Sequence, residues 1–236
     1  MKYNMNQGRL AGQIKIGLIS FIVYSLGFFP LVIFGSIVLI FISFNEMWHL
    51  LLLPFIIYIG IFLTLWYQLL ISGLIIHVFK IRYEPGVYDY NFKNKTAFRW
   101  RVVHILYTPM RKMLEIFPMG RMKNRYYRLL GMKIGENTLV GGTIMDPCLT
   151  EIGDNCTIGL YAVIYAHIHV YEDNKLILKR IKIGNNCIIG AGAYIMPGAV
   201  LQDNVKLATG SVVLTDQVLK KDKIYGGIPA KEIIKK

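Results

Sequence analysis

From Ile183 to Val218 the chain places an aliphatic residue at every sixth position, in the segments IGNNCI, IGAGAY, IMPGAV, LQDNVK, LATGSV and VLTDQV. The same beat runs upstream from Ile134 to His169 as IGENTL, VGGTIM, DPCLTE, IGDNCT, IGLYAV and IYAHIH, with Asp146 as the one break in the aliphatic register. A short fixed period of this kind predicts a β-solenoid, in which each short strand sends one side chain inward and glycine or asparagine turns the corner. An amphipathic helix repeats its apolar residues every 3.6 positions and cannot produce it. Three hexads close one triangular coil, so two runs of six predict about four coils over residues 132–219. Residues 170–182 leave the beat: Asp173 and Asn174 mark a turn, and LILKRIKI reads as a returning strand.

The first 79 residues have a different character. An apolar stretch runs from Ile14 to Phe44, is interrupted by Asn45, Glu46, Trp48 and His49, and resumes from Leu50 to Phe79. Each run exceeds the roughly 20 residues that cross a hydrocarbon core, so residues 14–79 predict two transmembrane helices after a short polar lead, 1–13. Both runs are too long for the apolar core of a cleaved signal peptide. Pro30 is expected to kink the first span. Gln68 and Ser72 share a face of the second, for hydrogen bonds between helices of an oligomer or for contact with a lipid acceptor. Lys2, Arg9 and Lys15 precede the first span and Lys80, Arg82, Lys93 and Lys95 follow the second, while the connecting loop has no Lys or Arg. The positive-inside rule then puts both termini and the solenoid in the cytoplasm.

A net charge of +13 raises the question of nucleic acid. Its location answers otherwise, because Arg99, Arg101, Arg111, Lys112, Arg121, Lys123, Arg125 and Arg128 stand among Phe98, Trp100, Tyr107, Tyr126 and Tyr127 directly after a span. That mixture suits an anionic leaflet. Residues 80–131 therefore read as a basic interfacial segment: a turn and extended stretch at YEPGVYDY, then helices over Ala97–Phe117 and Arg121–Leu130, stopped by Gly131. Cys148, Cys156 and Cys187 show no paired spacing and read as reduced thiols, and residues 220–236 form a tail. The fold class is membrane α plus an all-β solenoid.

The hexads, the histidine at the mouth of a loop (YAHIH) and the closing GGIPAK resemble the hexapeptide-repeat, left-handed β-helix acyltransferases. The segments EPGVY, FRWR, YYRLLGMKIG and DPCLTEIGDN further resemble a membrane-anchored branch whose domain also ends some non-ribosomal peptide synthetases. The resemblance implies left-handed winding, a homotrimer and transfer of an acyl group, usually acetyl, from coenzyme A, with one histidine at a subunit interface. The matching residue is His167, the candidate general base. Two carboxylates are candidates to orient it: Asp146, at a register position where an unpaired charge is costly, and Glu172 in the loop. Asp146 could instead cap a turn with Pro147. For coenzyme A the resemblance points to Gly190, Ala191, Ala208 and Thr209 along the last coils and to Lys231 near the nucleotide phosphate. Where many soluble members carry a Thr-Lys pair, this chain has Leu214 and Thr215.

These readings predict a membrane-bound O- or N-acetyltransferase with acetyl-CoA as co-substrate and no metal. Its acceptor would be a hydroxyl or amine on a membrane lipid or lipid-linked molecule. Two alternatives stay open. One is a non-catalytic trimeric membrane scaffold. The other is a γ-type carbonic anhydrase, with zinc on His167 and His169, although His49, His77 and His104 all lie outside the solenoid.

Overall fold

The computed structural model describes residues 2–117 and 120–234, with side chains from Leu10 onward. Residues from Lys133 to Glu232 wind into a three-faced prism of very short parallel strands. The register stacks its inward residues in three columns. Ile134, Ile152, Ile183, Leu201 and Leu219 line the first face. Val140, Ile158, Ile189, Leu207 and Tyr225 line the second. Ile144, Ile164, Ile195 and Val213 line the third. All are buried, and like side chains stacked on like give the dry, continuous core that no single coil could build. The corner between the first and second faces turns through left-handed backbone at Asn137, Asn155, Asn186 and Asn204, each with φ between 52° and 59°. Asparagine is among the few residues that adopt this conformation at low cost, and its amide can bond to the coil beside it. Asn204 Nδ2 does so, donating to Asp222 Oδ1 at 2.7 Å.

The beat slips in the first coil. The third inward residue there is Ile144, which pairs with Ile164, and Asp146 lies two positions beyond it, against Ala166. Asp146 therefore does not occupy the inward slot that hexad counting assigns to it. Gly141 and Gly142 shorten the corner, and the 3-10 turn Pro147–Leu149 restores the register. The expected loop over 170–182 is a hairpin that starts earlier, with strands His167–Val170 and Lys175–Leu178, and the extended stretch Gly86–Asp89 adds a third antiparallel strand. The expected tail also has structure, since Ile224–Gly226 continues the second face and Lys231–Glu232 folds back on it.

Helix α1 (Lys2–Leu26) begins within the expected polar lead and runs on into the first apolar stretch. The chain breaks at Gly27 and Phe28, and α2 (Phe29–Phe41) resumes with Pro30 in its first turn, where a missing N–H leaves no carbonyl unpaired. A short α3 (Met47–Leu50) precedes α4 (Leu53–Val78). The stretches Leu10–Phe41 and Met47–Val78 are each long and apolar enough to cross a bilayer.

In the segment 80–131 both expected helices are present, each with one face packed on protein. Helix α5 (Lys95–Ile116) buries Ala97, Trp100, Val103, Tyr107, Met110 and Leu114 at helical spacing. Tyr107 Oη donates to the Ile144 carbonyl of the prism at 2.5 Å, while on the far side Tyr24 of α1 donates to the Ile105 carbonyl. Helix α6 (Arg121–Leu129) is similarly placed, its Tyr126 hydroxyl 3.1 Å from Ser72 Oγ of α4. One face of each helix is thus buried between the apolar helices and the prism. Ser72 finds its partner within the chain.

Candidate active site

The corner where the third face meets the first carries the densest polar cluster. Pro147 bends the chain directly after Asp146, and the aromatic layer of α5 closes over the carboxylate, leaving it no exposed surface. Four donors satisfy it. Oδ1 accepts from Tyr83 Oη at 3.0 Å and Trp100 Nε1 at 3.1 Å; Oδ2 accepts from the Ala166 amide at 3.1 Å and from His167 Nδ1 at 2.6 Å. Burial alone would raise the carboxyl pKa, but the hydrogen bond and charge of His167, with His104 and the Ala166 amide, outweigh it and hold Asp146 at about 2. An ionised carboxylate on Nδ1 fixes the imidazole as the Nδ1–H tautomer and leaves the Nε2 lone pair available. That is the arrangement of an oriented general base.

His104 lies outside the solenoid in sequence, yet α5 delivers it here. Its Nδ1 donates to the Trp100 carbonyl at 3.2 Å, its ring stacks on the Trp100 indole at 3.9 Å, and it meets the His167 ring edge-on at 5.3 Å. Nε2 lies 3.8 Å from Asp146 Oδ1 and has no hydrogen-bond partner among the described residues. Burial pulls its pKa down to about 4 against the opposing pull of Asp146, so the ring is neutral at pH 7. His169 is shifted down as well, by burial and then by His167 and Arg101.

The depressed His104 predicts acid sensitivity. The unfolded ring takes up its proton near pH 6.5 and the folded ring only near 4, so stability present above 6.5 falls away between those values, by about 3 kcal/mol for this group. Thermal midpoints measured from pH 7 to pH 4 should fall more steeply for the wild type than for His104→Phe.

Ligand atoms of His104, Asp146 and His167 lie within 4.8 Å of one another, a spacing that raises the question of a metal. The groups do not fit one. Both Asp146 oxygens are already filled by two donors each, and a cation would have to displace the His167 proton that makes the shortest of these bonds.

The other predicted residues separate cleanly. Glu172 is exposed at the tip of the hairpin and is not brought to the imidazole; the antiparallel pairing carries the turn away from the prism corner. Gly190 and Ala191 stack on Ala208 and Thr209, with Gly159 before and Gly226 after, along the edge between the second and third faces. A Cβ on Gly190 would strike the backbone of Ala208 and Thr209, so only glycine permits that spacing. Lys231 is exposed and pairs with Gly226 at the end of the same column. Within one chain this column and His167 lie at opposite edges of the third face. Sequence reasoning missed Tyr83, Trp100 and His104; the only local signal was a Trp and a His four residues apart, which share one helix face.

Comparison with known proteins bears on the hexad repeat. Residues 180–215 match the bacterial transferase hexapeptide (six repeats) family. The "Putative acetyltransferase YvoF" of Bacillus subtilis (strain 168) is 34% identical over 127 residues, covering 50% of this chain and 70% of that protein. A delta-poly-L-ornithine synthetase of Acinetobacter baumannii (strain AB307-0294) is 29% identical over 63% of this chain but only 11% of its own length. Among solved structures, the hexapeptide-repeat acetyltransferase VCA0836 of Vibrio cholerae is 18% identical, with a TM-score of 0.48 over 57% of this chain and 91% of that one. A stacked hexad core, a repeat match across its last coils and a relative matched along most of its length lead to one assignment: the chain belongs to the hexapeptide-repeat acyltransferases, enzymes that draw their acyl group from acyl-coenzyme A.

Proposed function

We propose that this chain is an integral-membrane acetyltransferase in which His167 is the general base and the acceptor is a hydroxyl or amine on a membrane lipid or lipid-linked molecule. The observation that carries the reading is the 2.6 Å bond between His167 Nδ1 and fully buried Asp146. Nε2 takes the proton from the acceptor O–H or N–H as that oxygen or nitrogen bonds to the thioester carbonyl carbon. The tetrahedral intermediate collapses with cleavage of the C–S bond. The imidazolium then returns the proton to sulfur, leaving acetylated acceptor, free coenzyme A thiol and neutral histidine.

The small-residue column of Gly190, Ala191, Ala208 and Thr209, ending at Lys231, suits the pantetheine arm and the phosphates. Since it stands across the third face from His167, a homotrimer that sets one protomer's column beside the next protomer's imidazole supplies the missing juxtaposition. Membrane integration is supported by the side chains of both long apolar stretches, such as Ile40, Phe41 and Leu51, which are 72–82% exposed and would be untenable in water at this density. The basic residues at the ends of the spans support a cytoplasmic prism. The match to a small part of a much longer synthetase supports the membrane-anchored branch.

The test uses membranes containing the full chain and acetyl-CoA radiolabelled in the acetyl group. Label should pass into the organic-extractable fraction, and His167→Ala membranes should leave it in the aqueous phase. Label transferred only to a water-soluble acceptor would remove the lipid acceptor from this reading.

A further inference from the structure

A cavity of about 860 Å³ lies away from the prism, between α1, α4 and α5. Its walls are of two kinds. Ile19 of α1, Ile75 of α4 and Phe79 just past its end form an apolar part. Lys15, Lys93, Lys95 and Arg99 form a cationic part, near the basic flanks of both helices. No Asp or Glu lines the cavity, and none of these four cations forms an ion pair among the described residues. Four cations gathered over an apolar slot repel one another and gain nothing from the chain itself. An amphiphile with a negative head supplies both complements at once, whereas a free phosphate would leave the slot unfilled.

We propose that this cleft seats one phospholipid of net negative headgroup charge, its chain against Ile19, Ile75 and Phe79 and its headgroup among Lys15, Lys93, Lys95 and Arg99. The proposal rests on the membrane reading given above. It also gives the cleft a place beside the chemistry. Phe92 packs against Gly12 so closely that a Cβ there would enter its ring, and the same Phe92 lines a second cavity of about 400 Å³ that reaches His104 and Trp100. A lipid held in the cleft is thus one aromatic ring from the catalytic corner.

The experiment is native mass spectrometry of the full chain extracted from nanodiscs holding equal phosphatidylglycerol and phosphatidylcholine. The wild type should retain phosphatidylglycerol adducts selectively, with about a fivefold loss for each cation neutralised in Lys93→Gln and Lys95→Gln. Ile19→Trp, which fills the slot without changing charge, should remove the adducts, and Lys206→Gln with Lys220→Gln on the prism should leave them unchanged. Equal retention of phosphatidylcholine, insensitivity to both cleft variants, or displacement by millimolar inorganic phosphate would each overturn the proposal. Alkaline carbonate extraction separates it from the parent reading. A chain released from membranes defeats the membrane reading itself, whereas a retained chain without phosphatidylglycerol selectivity defeats only the lipid site.

Discussion

The His167→Ala enzyme is expected to turn over acetyl-CoA about 10²–10⁴ times more slowly than the wild type, with its KM for acetyl-CoA changed by no more than about threefold. The asymmetry follows from where the imidazole stands. Its Nδ1 is committed to Asp146, and under the proposed function Nε2 meets only the proton that leaves the acceptor as the carbonyl carbon is attacked. The interaction exists in the transition state and not in the thioester complex, so its loss lowers kcat rather than binding. Coenzyme A, by this reading, lies along the Gly190 to Thr209 column, which shares no side chain with the corner that holds His167. Steady-state kinetics with both substrates varied would separate the terms. A variant with a raised KM and an unchanged kcat would make His167 a binding residue, and the base would have to be sought elsewhere.

The prism was legible in the sequence because its code is local. Each inward residue is placed by a six-residue step, and one side chain per step decides the column, as in Ile152, Ile158 and Ile164. The same locality explains the error at Asp146. Counting by six carries it into the core, and nothing in a fixed beat announces that Gly141 and Gly142 shorten a corner or that Pro147–Leu149 lengthens the next one. Asp146 was a candidate orienting group, and the structure does bring it to His167. Its burial, however, is imposed by Tyr83 and Trp100, which lie 63 and 46 residues away in sequence. No period encodes a contact at that distance. Helix α5 illustrates the complementary limit: alternating basic and apolar residues define a face but leave open whether lipid or protein covers it. Here protein does, while basic residues such as Arg99 and Lys112 stay exposed.

Asp146→Ala should be the most disruptive single change at the site. It leaves the Tyr83 hydroxyl, the Trp100 indole N–H, the Ala166 amide and the His167 Nδ1–H without an acceptor in a region closed to water, and a loss of about 3–5 kcal/mol in stability is expected. Asp146→Asn has nearly the same shape but turns an amide N–H₂ toward donors and removes the charge that selects the His167 tautomer. It should fold with a smaller deficit while losing about 10²–10⁴ in kcat, as an unoriented imidazole presents either nitrogen. Acid provides an independent check on the carboxylate. Its folded pKa, about 2, lies below the ordinary 3.8, so the stability it contributes is complete above the ordinary value and disappears as pH falls toward 2. Denaturation of the wild type and of Asp146→Asn followed from pH 6 to pH 2 should therefore show the two curves converging at the acid end. A gap that stays constant through that range would mean that Asp146 is already protonated in the folded protein. It would then donate rather than accept at His167, and the imidazole would lose the anion that prepares it as a base.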